Sequence, residues 1–222
     1  MSYERVSYEV RSREIADALI AIGGVGFRPA APITFKSGIK SPVYCDNRRF
    51  PFWPEQWAKV IRGFEELIAE REIAVDVVGG VEAAGIPHSA ALGFAMRTPS
   101  VFVRKELKEH GTKKRVEGGD VTGKRVVLVE DLVTTGISSL AAIEALRDEG
   151  AVVSDCLAII SYEFPEAVEA FERAGVRLHA TTTFHAVLES ALENAVLDED
   201  GATVVRDWLR EPRSWAKRHG FE

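Results

Sequence analysis

Cysteine is scarce in this sequence, and long apolar runs are absent from it. Cys45 and Cys156 are the two cysteines among 222 residues, too few for a disulfide framework and without metal-ligand spacing. No window of about 18 apolar residues occurs, which excludes a membrane-spanning helix. The segment Met1–Ile20 carries acids among its bases and lacks the apolar centre of a secretory signal. We therefore expect a globular protein in the cytoplasm, with no membrane partner.

An excess of basic residues is also missing. Lys and Arg number 28 against 34 Asp and Glu, which gives a net charge of −6, whereas general nucleic-acid binding needs a basic face. We therefore expect no nucleic-acid partner. A small anionic substrate is compatible with this charge, because its binding needs only a local cluster of positive side chains.

Length and composition indicate one compact domain. Hydrophobic residues make up 46% and charged residues 28% of the chain, which is ordinary for a globular protein. Within this domain we expect three parts: an N-terminal helix and hood over residues 1–50, an α/β core over residues 51–183 and C-terminal helices over residues 184–222.

Strand-length apolar runs alternate with segments of helical period in the middle of the chain. The strand candidates are rich in β-branched residues and comprise Val75–Gly80, Ser100–Arg104, Arg125–Glu130 and Val152–Ile160. The helix candidates between them are Glu55–Glu70, Ala84–Met96 and Ser138–Glu149. This alternation predicts right-handed βαβ units and an α/β fold, with an open, mainly parallel sheet flanked by helices. The functional site is expected at the carboxyl ends of the strands.

The two flanking segments do not follow this alternation. Glu4–Ile22 is a helix candidate, and the Gly/Pro-rich stretch after it contains the short run Ile33–Tyr44. We expect this stretch to form a small hood over the sheet edge. The C-terminal segment is helical and polar, and with Trp208 and Trp215 it is expected to pack against the outside of the core.

A run of apolar residues, two acids and a hydroxyl-rich turn stands at Val126–Ser138. Gly136 is free to adopt positive φ, and the backbone amides of such a turn form an anion site at the start of the next helix. Glu130 and Asp131 would repel a second phosphate, so their expected partners are hydroxyls or a cation. A sugar phosphate fits both halves. The alternative interpretation is a solvated strand end followed by an ordinary turn.

This stretch resembles the phosphoribosyl diphosphate signature of type I phosphoribosyltransferases. Three further segments resemble motifs of orotate phosphoribosyltransferases: Thr34–Arg48 (TFKSGIKSPVYCDNR), Gly79–Pro87 (GGVEAAGIP) and Arg104–Gly119 (RKELKEHGTKKRVEGG). All four occur in the order of that family, so the chain is identified as a member of it. A phosphoribosyltransferase for a purine or uracil, and a non-catalytic sensor of phosphoribosyl diphosphate, are the alternatives.

The resemblance implies a reaction, a cofactor and a set of site residues. Phosphoribosyl diphosphate and orotate would be the substrates, with Mg²⁺ held mainly by the diphosphate rather than by protein ligands. The implied catalytic residues are Lys105, Asp131, Glu130, Lys108 and His110. The implied substrate-binding residues add Lys36, Tyr44, Cys45, Arg104, Leu132, Val133, Thr134, Thr135, Gly136, Ile137 and Ser138.

The segment Arg104–Arg115 places seven potential cations in twelve residues of an acidic protein. A solvated basic hairpin is the ordinary interpretation of such a cluster. The resemblance instead implies a mobile loop over the departing diphosphate, in a homodimer with shared active sites. Lys105 would then act on its own subunit's substrate while Arg104, Lys108 and His110 reach across the dimer, or the reverse.

Two positions depart from the family pattern. Cys45 stands where an aromatic residue is frequent beside the orotate ring, and it offers no stacking face. Ser161–Ala167 lacks the arginine that pairs with the orotate carboxylate in many members, and it resembles a variant subgroup. Backbone amides or Lys36 are the remaining candidates for that contact. His88, at a helix start, is expected to be a capping or packing residue.

Overall fold

The architecture is taken from a computed structural model that describes residues 3–35, 38–106 and 114–221, with side chains from residue 7 onward. The described chain contains α1 (Tyr3–Ala21), α2 (Pro54–Glu70), α3 (Gly85–Met96), α4 (Ile137–Asp148), α5 (Pro165–Arg173), α6 (Phe184–Glu193), α7 (Glu199–Arg210) and α8 (Pro212–Arg218). Its strands are β1 (Val25–Phe27), β2 (Ile33–Thr34), β3 (Lys40–Ser41), β4 (Val43–Cys45), β5 (Val77–Val81), β6 (Ser100–Val103), β7 (Val116–Glu117), β8 (Arg125–Val133), β9 (Val152–Ser161) and β10 (Arg177–Thr183).

A six-stranded sheet in the order β10-β9-β8-β5-β6-β7 forms the centre of the protein. Its pairings are parallel except that of β6 with β7, which is antiparallel. Neighbouring β8 residues face opposite sides, as the two-residue period of a strand requires. Val127 and Val129 join a core with α1, α2 and the C-terminal helices, whereas Val126 and Leu128 join a core with α4 and α5. The predicted α/β class with a mainly parallel sheet is confirmed.

The strands and helices predicted in the middle of the chain are all present, and their ends shift by a few residues. The largest shift is in β8, which continues through the acidic pair to Val133 instead of ending at Glu130. The reason is the length of β9, because Leu132 pairs with Ile160 and Val133 pairs with Ser161. Glu130 and Asp131 are therefore part of the strand.

Three elements, β7, α5 and β10, were not predicted from the sequence. β10 forms the edge of the sheet beside β9, yet its sequence RLHATTT contains few apolar residues. Thr181 and Thr182 are nevertheless fully buried. Thr181 Oγ1 donates to the Ile159 carbonyl at 2.6 Å, and Thr182 Oγ1 donates to the Ser12 carbonyl at 2.8 Å. Hydrogen bonds inside the protein thus satisfy the polar side chains of this buried strand. Its sequence lacks the apolar pattern from which a buried strand is predicted.

The two flanking segments are built differently from one another. α1 packs against the sheet and α6 and is not part of the hood, which consists of residues 25–52. The hood contains two small antiparallel pairs, β1 with β4 and β2 with β3, followed by a 3₁₀ helix at Asn47–Phe52. The C-terminal segment is helical as predicted, and where it packs on the core its Trp208 and Trp215 side chains are fully buried.

Candidate active site

The turn between β8 and α4 has the geometry of an anion site. Gly136 adopts φ +78° immediately before α4, a conformation that favours glycine. A methyl group there would lie 2.8 Å from the ring of Phe171, so both the backbone and the packing require glycine. The first N–H groups of a helix lack intrahelical acceptors, and those of α4 follow this turn. The hydroxyls of Thr134, Thr135 and Ser138 accompany them.

The acidic pair holds the end of the strand against the start of the helix. Glu130 is 4% exposed, and its Oε2 accepts from Ser138 Oγ at 3.3 Å and from Ser139 Oγ at 3.2 Å. Its Oε1 accepts from the Asp131 backbone N–H at 3.1 Å. Asn47 Nδ2 of the hood donates to the Asp131 carbonyl at 2.9 Å. The pair is therefore a rigid junction of three elements and not a solvated strand end.

Burial changes the ionisation of these two carboxyl groups. Burial, reinforced by the adjacent Asp131 carboxylate, raises the pKa of Glu130 to about 8. Burial also raises the pKa of Asp131, while its hydrogen bond with Glu130 and the nearby Arg48 guanidinium act in the opposite direction. Burial and the mutual repulsion of the two carboxylates therefore oppose ionisation of both groups at once.

The hood supplies the opposite wall. Arg48 Nη2 donates to the Tyr44 hydroxyl at 2.8 Å, and Arg48 Nε donates to Asp46 Oδ1 at 2.6 Å. Cys45 Sγ lies 3.8 Å from Asn47 Oδ1. Asn47 and Arg48 were not among the predicted site residues, although both lie in the segment Thr34–Arg48 that resembles a family motif. That segment's match to a family motif was the signal that pointed to them.

One cleft of about 630 Å³ brings these parts together. Its lining comes from the hood, from the turn between β8 and α4, which we call the phosphate turn (residues 134–138), and from Lys105 after β6. The lining residues are Ile33, Thr34, Phe35, Tyr44, Cys45, Lys105, Leu132, Thr134, Thr135, Gly136, Ile137, Ser138 and Ser139. The predicted site residues Glu130, Asp131 and Val133 are close to these residues in sequence but are not among the lining residues. Lys105 is the one cation among the described lining residues. The predicted site residues Lys36, Lys108 and His110 lie outside the described residues.

The glycine-rich segment Gly79–Pro87 packs against β8 and is hydrogen-bonded to the backbone of Lys105. A methyl group at Gly85 would lie 2.5 Å from the Val129 carbonyl oxygen, so α3 approaches β8 as closely as glycine permits. Glu82 Oε2 accepts from the Lys105 backbone N–H at 2.8 Å. Arg104 does not reach the cleft, because its Nη1 donates to Glu117 Oε1 at 3.1 Å.

The segment Ser161–Ala167, where an arginine is missing, forms core structure. Tyr162 is 1% exposed and stacks on Phe164 and Phe184, with ring centroids 5.3 and 4.8 Å away. Its hydroxyl is buried and has no hydrogen-bond partner among the described residues. The segment thus adds an aromatic wall behind Phe35, whose ring lies 6.3 Å from that of Tyr162, and contributes no cation to the described lining.

His88 is a packing residue, as the sequence predicted. It is fully buried, and its Nδ1 accepts from Trp57 Nε1 at 2.9 Å. Burial lowers its pKa to about 4. The imidazole is therefore neutral, and because Nδ1 accepts a hydrogen bond, the proton is on Nε2.

Other candidate features are weaker than this cleft. A concavity of about 780 Å³ runs along β10 and contains no predicted site residue. Within the described ranges, no group of three or more His, Cys, Asp or Glu side chains is arranged to hold a metal ion. In the same ranges, none of the helices combines the length and the apolar character needed to cross a membrane.

Comparison with known proteins gives one consistent family. Residues 53–162, which contain β5 to β9 and the phosphate turn, match the phosphoribosyl transferase domain family. The orotate phosphoribosyltransferase of Coxiella burnetii is 38% identical over 205 residues, which is 92% of this chain and 98% of that protein.

Two solved structures share the fold. The orotate phosphoribosyltransferase of Aeropyrum pernix is 32% identical with a TM-score of 0.72, over 83% of this chain and 99% of that one. The UMP synthase of Leishmania donovani gives a TM-score of 0.80 at 28% identity over 90% of this chain, which spans 42% of that longer protein. By sequence, fold and cleft, this chain belongs to the orotate phosphoribosyltransferase family.

Proposed function

We propose that the protein transfers the phosphoribosyl group of 5-phosphoribosyl 1-diphosphate to orotate, giving orotidine 5′-phosphate and diphosphate in pyrimidine biosynthesis. The observation that carries this proposal is the cleft in which the phosphate turn, the hood and Lys105 meet, in a chain of this family. A ring nitrogen of orotate bonds to the anomeric carbon while the bond from that carbon to diphosphate breaks.

The phosphate turn receives the 5-phosphate of the sugar. The amides at the start of α4 and the hydroxyls of Thr134 and Thr135 are donors, and the helix dipole adds positive potential. Ser138, whose hydroxyl donates to Glu130, contributes its backbone amide. Gly136 fixes the turn. Since no cation from the described residues lies in this turn, binding relies on hydrogen bonds and suits a single phosphate.

Glu130 and Asp131 fix the ribose through its 2- and 3-hydroxyls. The negative charge of the pair stabilises positive charge that grows on the sugar ring in the transition state. Glu130, which is bonded to the Asp131 N–H and to Ser139, keeps that carboxylate and the phosphate turn in fixed relation. The preorganised pair therefore needs no rearrangement during the reaction.

Cations near the anomeric carbon stabilise the departing diphosphate. Lys105 lines the cleft, which supports this role for it, and Arg104, Lys108 and His110 join it in a homodimer with shared sites. Oxygen donors such as Asp131 and the substrate phosphates are the ligands that Mg²⁺ prefers, so the site suits Mg²⁺ held mainly by the substrate. When bound, Mg²⁺ supplies charge neutralisation of the leaving group.

The base occupies the hood side of the cleft, between Tyr44, Cys45 and Thr134. Carboxylate recognition is assigned to backbone amides or to Lys36, because the segment after β9 provides no arginine. The side chain of Cys45 is smaller than an aromatic ring and covers less of the base. The protein acts in the cytoplasm on soluble substrates.

A panel of bases tests the proposal. Purified protein is incubated with phosphoribosyl diphosphate and orotate, uracil, adenine or hypoxanthine, and nucleotide products are separated by chromatography. Orotate should be consumed at least about 10²-fold faster than the other bases, because a site built for polar groups rejects analogues that lack them. A preferred purine or uracil would identify another phosphoribosyltransferase. Substrate binding without any nucleotide product would identify a sensor.

A further inference from the structure

Glu149 follows the last residue of α4, at the end of the helix away from the phosphate turn. Its side chain contacts residues 114–116, which we call the stem. Its Oε1 accepts from the backbone N–H of Arg115 at 3.1 Å and from that of Val116 at 3.0 Å. Its Oε2 lies 3.6 Å from Lys114 Nζ, and the Glu149 side chain is 17% exposed. A carboxylate at a helix C-terminus is disfavoured by the helix dipole, so these three donors explain its presence there.

The stem is hydrogen-bonded to Arg104, the residue that precedes Lys105. The Arg104 N–H donates to the Arg115 carbonyl at 2.9 Å, and Arg115 Nε donates to the Arg104 carbonyl at 2.9 Å. Arg115 Nη1 also donates to the Ala141 carbonyl of α4 at 3.2 Å. Lys105, the next residue, is therefore connected to α4 through Arg104 and Arg115.

α4 thus fixes two walls of the same cleft. The phosphate turn lies at its amino end. At its carboxyl end Glu149 holds the stem, which is bonded to Arg104 beside Lys105. The distance between a bound 5-phosphate and the Lys105 ammonium then depends on one rigid helix. A catalytic group accelerates the reaction only when supporting contacts hold it in the geometry that the transition state requires.

We propose that Glu149 is a positioning residue that sets Lys105 against the diphosphate of phosphoribosyl diphosphate, acting through Arg115 and Arg104. This inference rests on the proposed function, since it assigns Lys105 to the leaving group. Orotidine 5′-phosphate contains the sugar phosphate and the base but no diphosphate. Its binding therefore does not depend on Glu149.

The test compares Glu149→Ala, Glu149→Gln and the control Asp148→Ala, which changes an exposed residue of the same helix turn. Glu149→Ala should lower kcat/KM for phosphoribosyl diphosphate by about 10- to 10²-fold, the range expected for a displaced catalytic group. Glu149→Gln keeps an oxygen for both N–H donors and should retain most activity. Calorimetric affinity for orotidine 5′-phosphate should be equal in all four proteins.

Hydrogen exchange gives a readout independent of catalysis. The Arg115 and Val116 amides should exchange faster in Glu149→Ala than in Glu149→Gln. Unchanged kcat/KM in Glu149→Ala, or an equal loss of affinity for phosphoribosyl diphosphate and orotidine 5′-phosphate, would overturn the inference. If Glu149→Ala does not fold, Arg115→Met is measured in the same way. If wild-type protein forms no orotidine 5′-phosphate, the proposed function is wrong. The role of Glu149 is then still tested by hydrogen exchange and by the affinity of each variant for phosphoribosyl diphosphate.

Discussion

Ser139 Oγ donates to Glu130 Oε2 at 3.2 Å, and both residues are buried. This bond joins the end of β8 to the first turn of α4, the two elements that present the acidic pair and the phosphate turn. It also places a carboxyl group with a raised pKa directly behind the proposed sugar site. The charge of the site and the rigidity of its turn therefore depend on the same side chain.

Replacement of Glu130 by glutamine should change the pH dependence of stability. The folded pKa of about 8 exceeds the usual 4.5, so the folded protein binds more protons than the unfolded chain between these values. Wild-type stability should therefore fall as pH rises through this window. Denaturant unfolding at pH 5 and 8.5 should show Glu130→Gln gaining at least about 1 kcal/mol relative to wild type at the higher pH.

The control for this comparison is Glu144→Gln, because Glu144 lies exposed on α4. Its stability difference from wild type should be the same at both pH values. Parallel pH profiles of wild type and Glu130→Gln would show that Glu130 ionises normally in the folded protein.

Asp131→Asn should abolish most turnover while leaving the fold intact. The amide keeps the shape of the side chain but removes the charge proposed to stabilise the sugar ring, so kcat should fall by about 10²-fold or more. The unfolding free energy should change by less than about 1 kcal/mol, since no core volume is lost. Asp76→Asn is the matched control, because Asp76 pairs with Arg125 at the other ends of the strands. Near-normal initial rates of orotate consumption by Asp131→Asn would remove its assigned role.

Lys105→Ala should slow the reaction through the loss of a cation at the leaving group. We expect kcat/KM for phosphoribosyl diphosphate to drop by about 10²-fold or more. Thermal stability should hardly change, because the side chain is exposed. Lys124→Ala removes an equally exposed lysine far from the cleft and should behave as wild type. Equal rates for the two variants would mean that charge at position 105 does not contribute.

His88 should remain neutral well below the usual histidine range. Its pKa of about 4 results from burial, whereas the hydrogen bond with Glu163 raises the pKa of His185. An NMR titration of imidazole nitrogens should find His88 as the Nε2–H form at pH 5.5 and His185 largely protonated there. Stability should be lost as pH falls from 6.5 toward 4, because the unfolded histidine takes up a proton that the buried ring excludes. A His88 transition near pH 6.5 would contradict this environment.

Local pattern was sufficient to predict four of the six described strands of the central sheet, β5, β6, β8 and β9. Strands such as Val126–Val129 are apolar on both faces because helices cover both sides, and this burial is visible in sequence. The turn at Gly136 could also be predicted, because its glycine and its hydroxyl side chains act within the turn itself and do not depend on distant residues.

Contacts between distant residues could not be predicted in this way. β10 is buried through the hydroxyls of Thr181 and Thr182, which hydropathy counts as polar. Trp208 is held by a hydrogen bond from its Nε1 to the carbonyl of Lys40, 168 residues away, so its place in the core depends on the hood. The bonds between Glu149 and Arg115 likewise exist only once α4 and the stem meet.

Orotidine 5′-phosphate formation tests the central claim most directly. Wild-type protein is mixed with orotate, phosphoribosyl diphosphate and Mg²⁺, and the loss of orotate absorbance is followed with diphosphate release. The account predicts equal amounts of orotidine 5′-phosphate and diphosphate, and loss of turnover when a chelator removes Mg²⁺. Diphosphate release without consumption of orotate, or no reaction of either substrate in the presence of Mg²⁺, would contradict it.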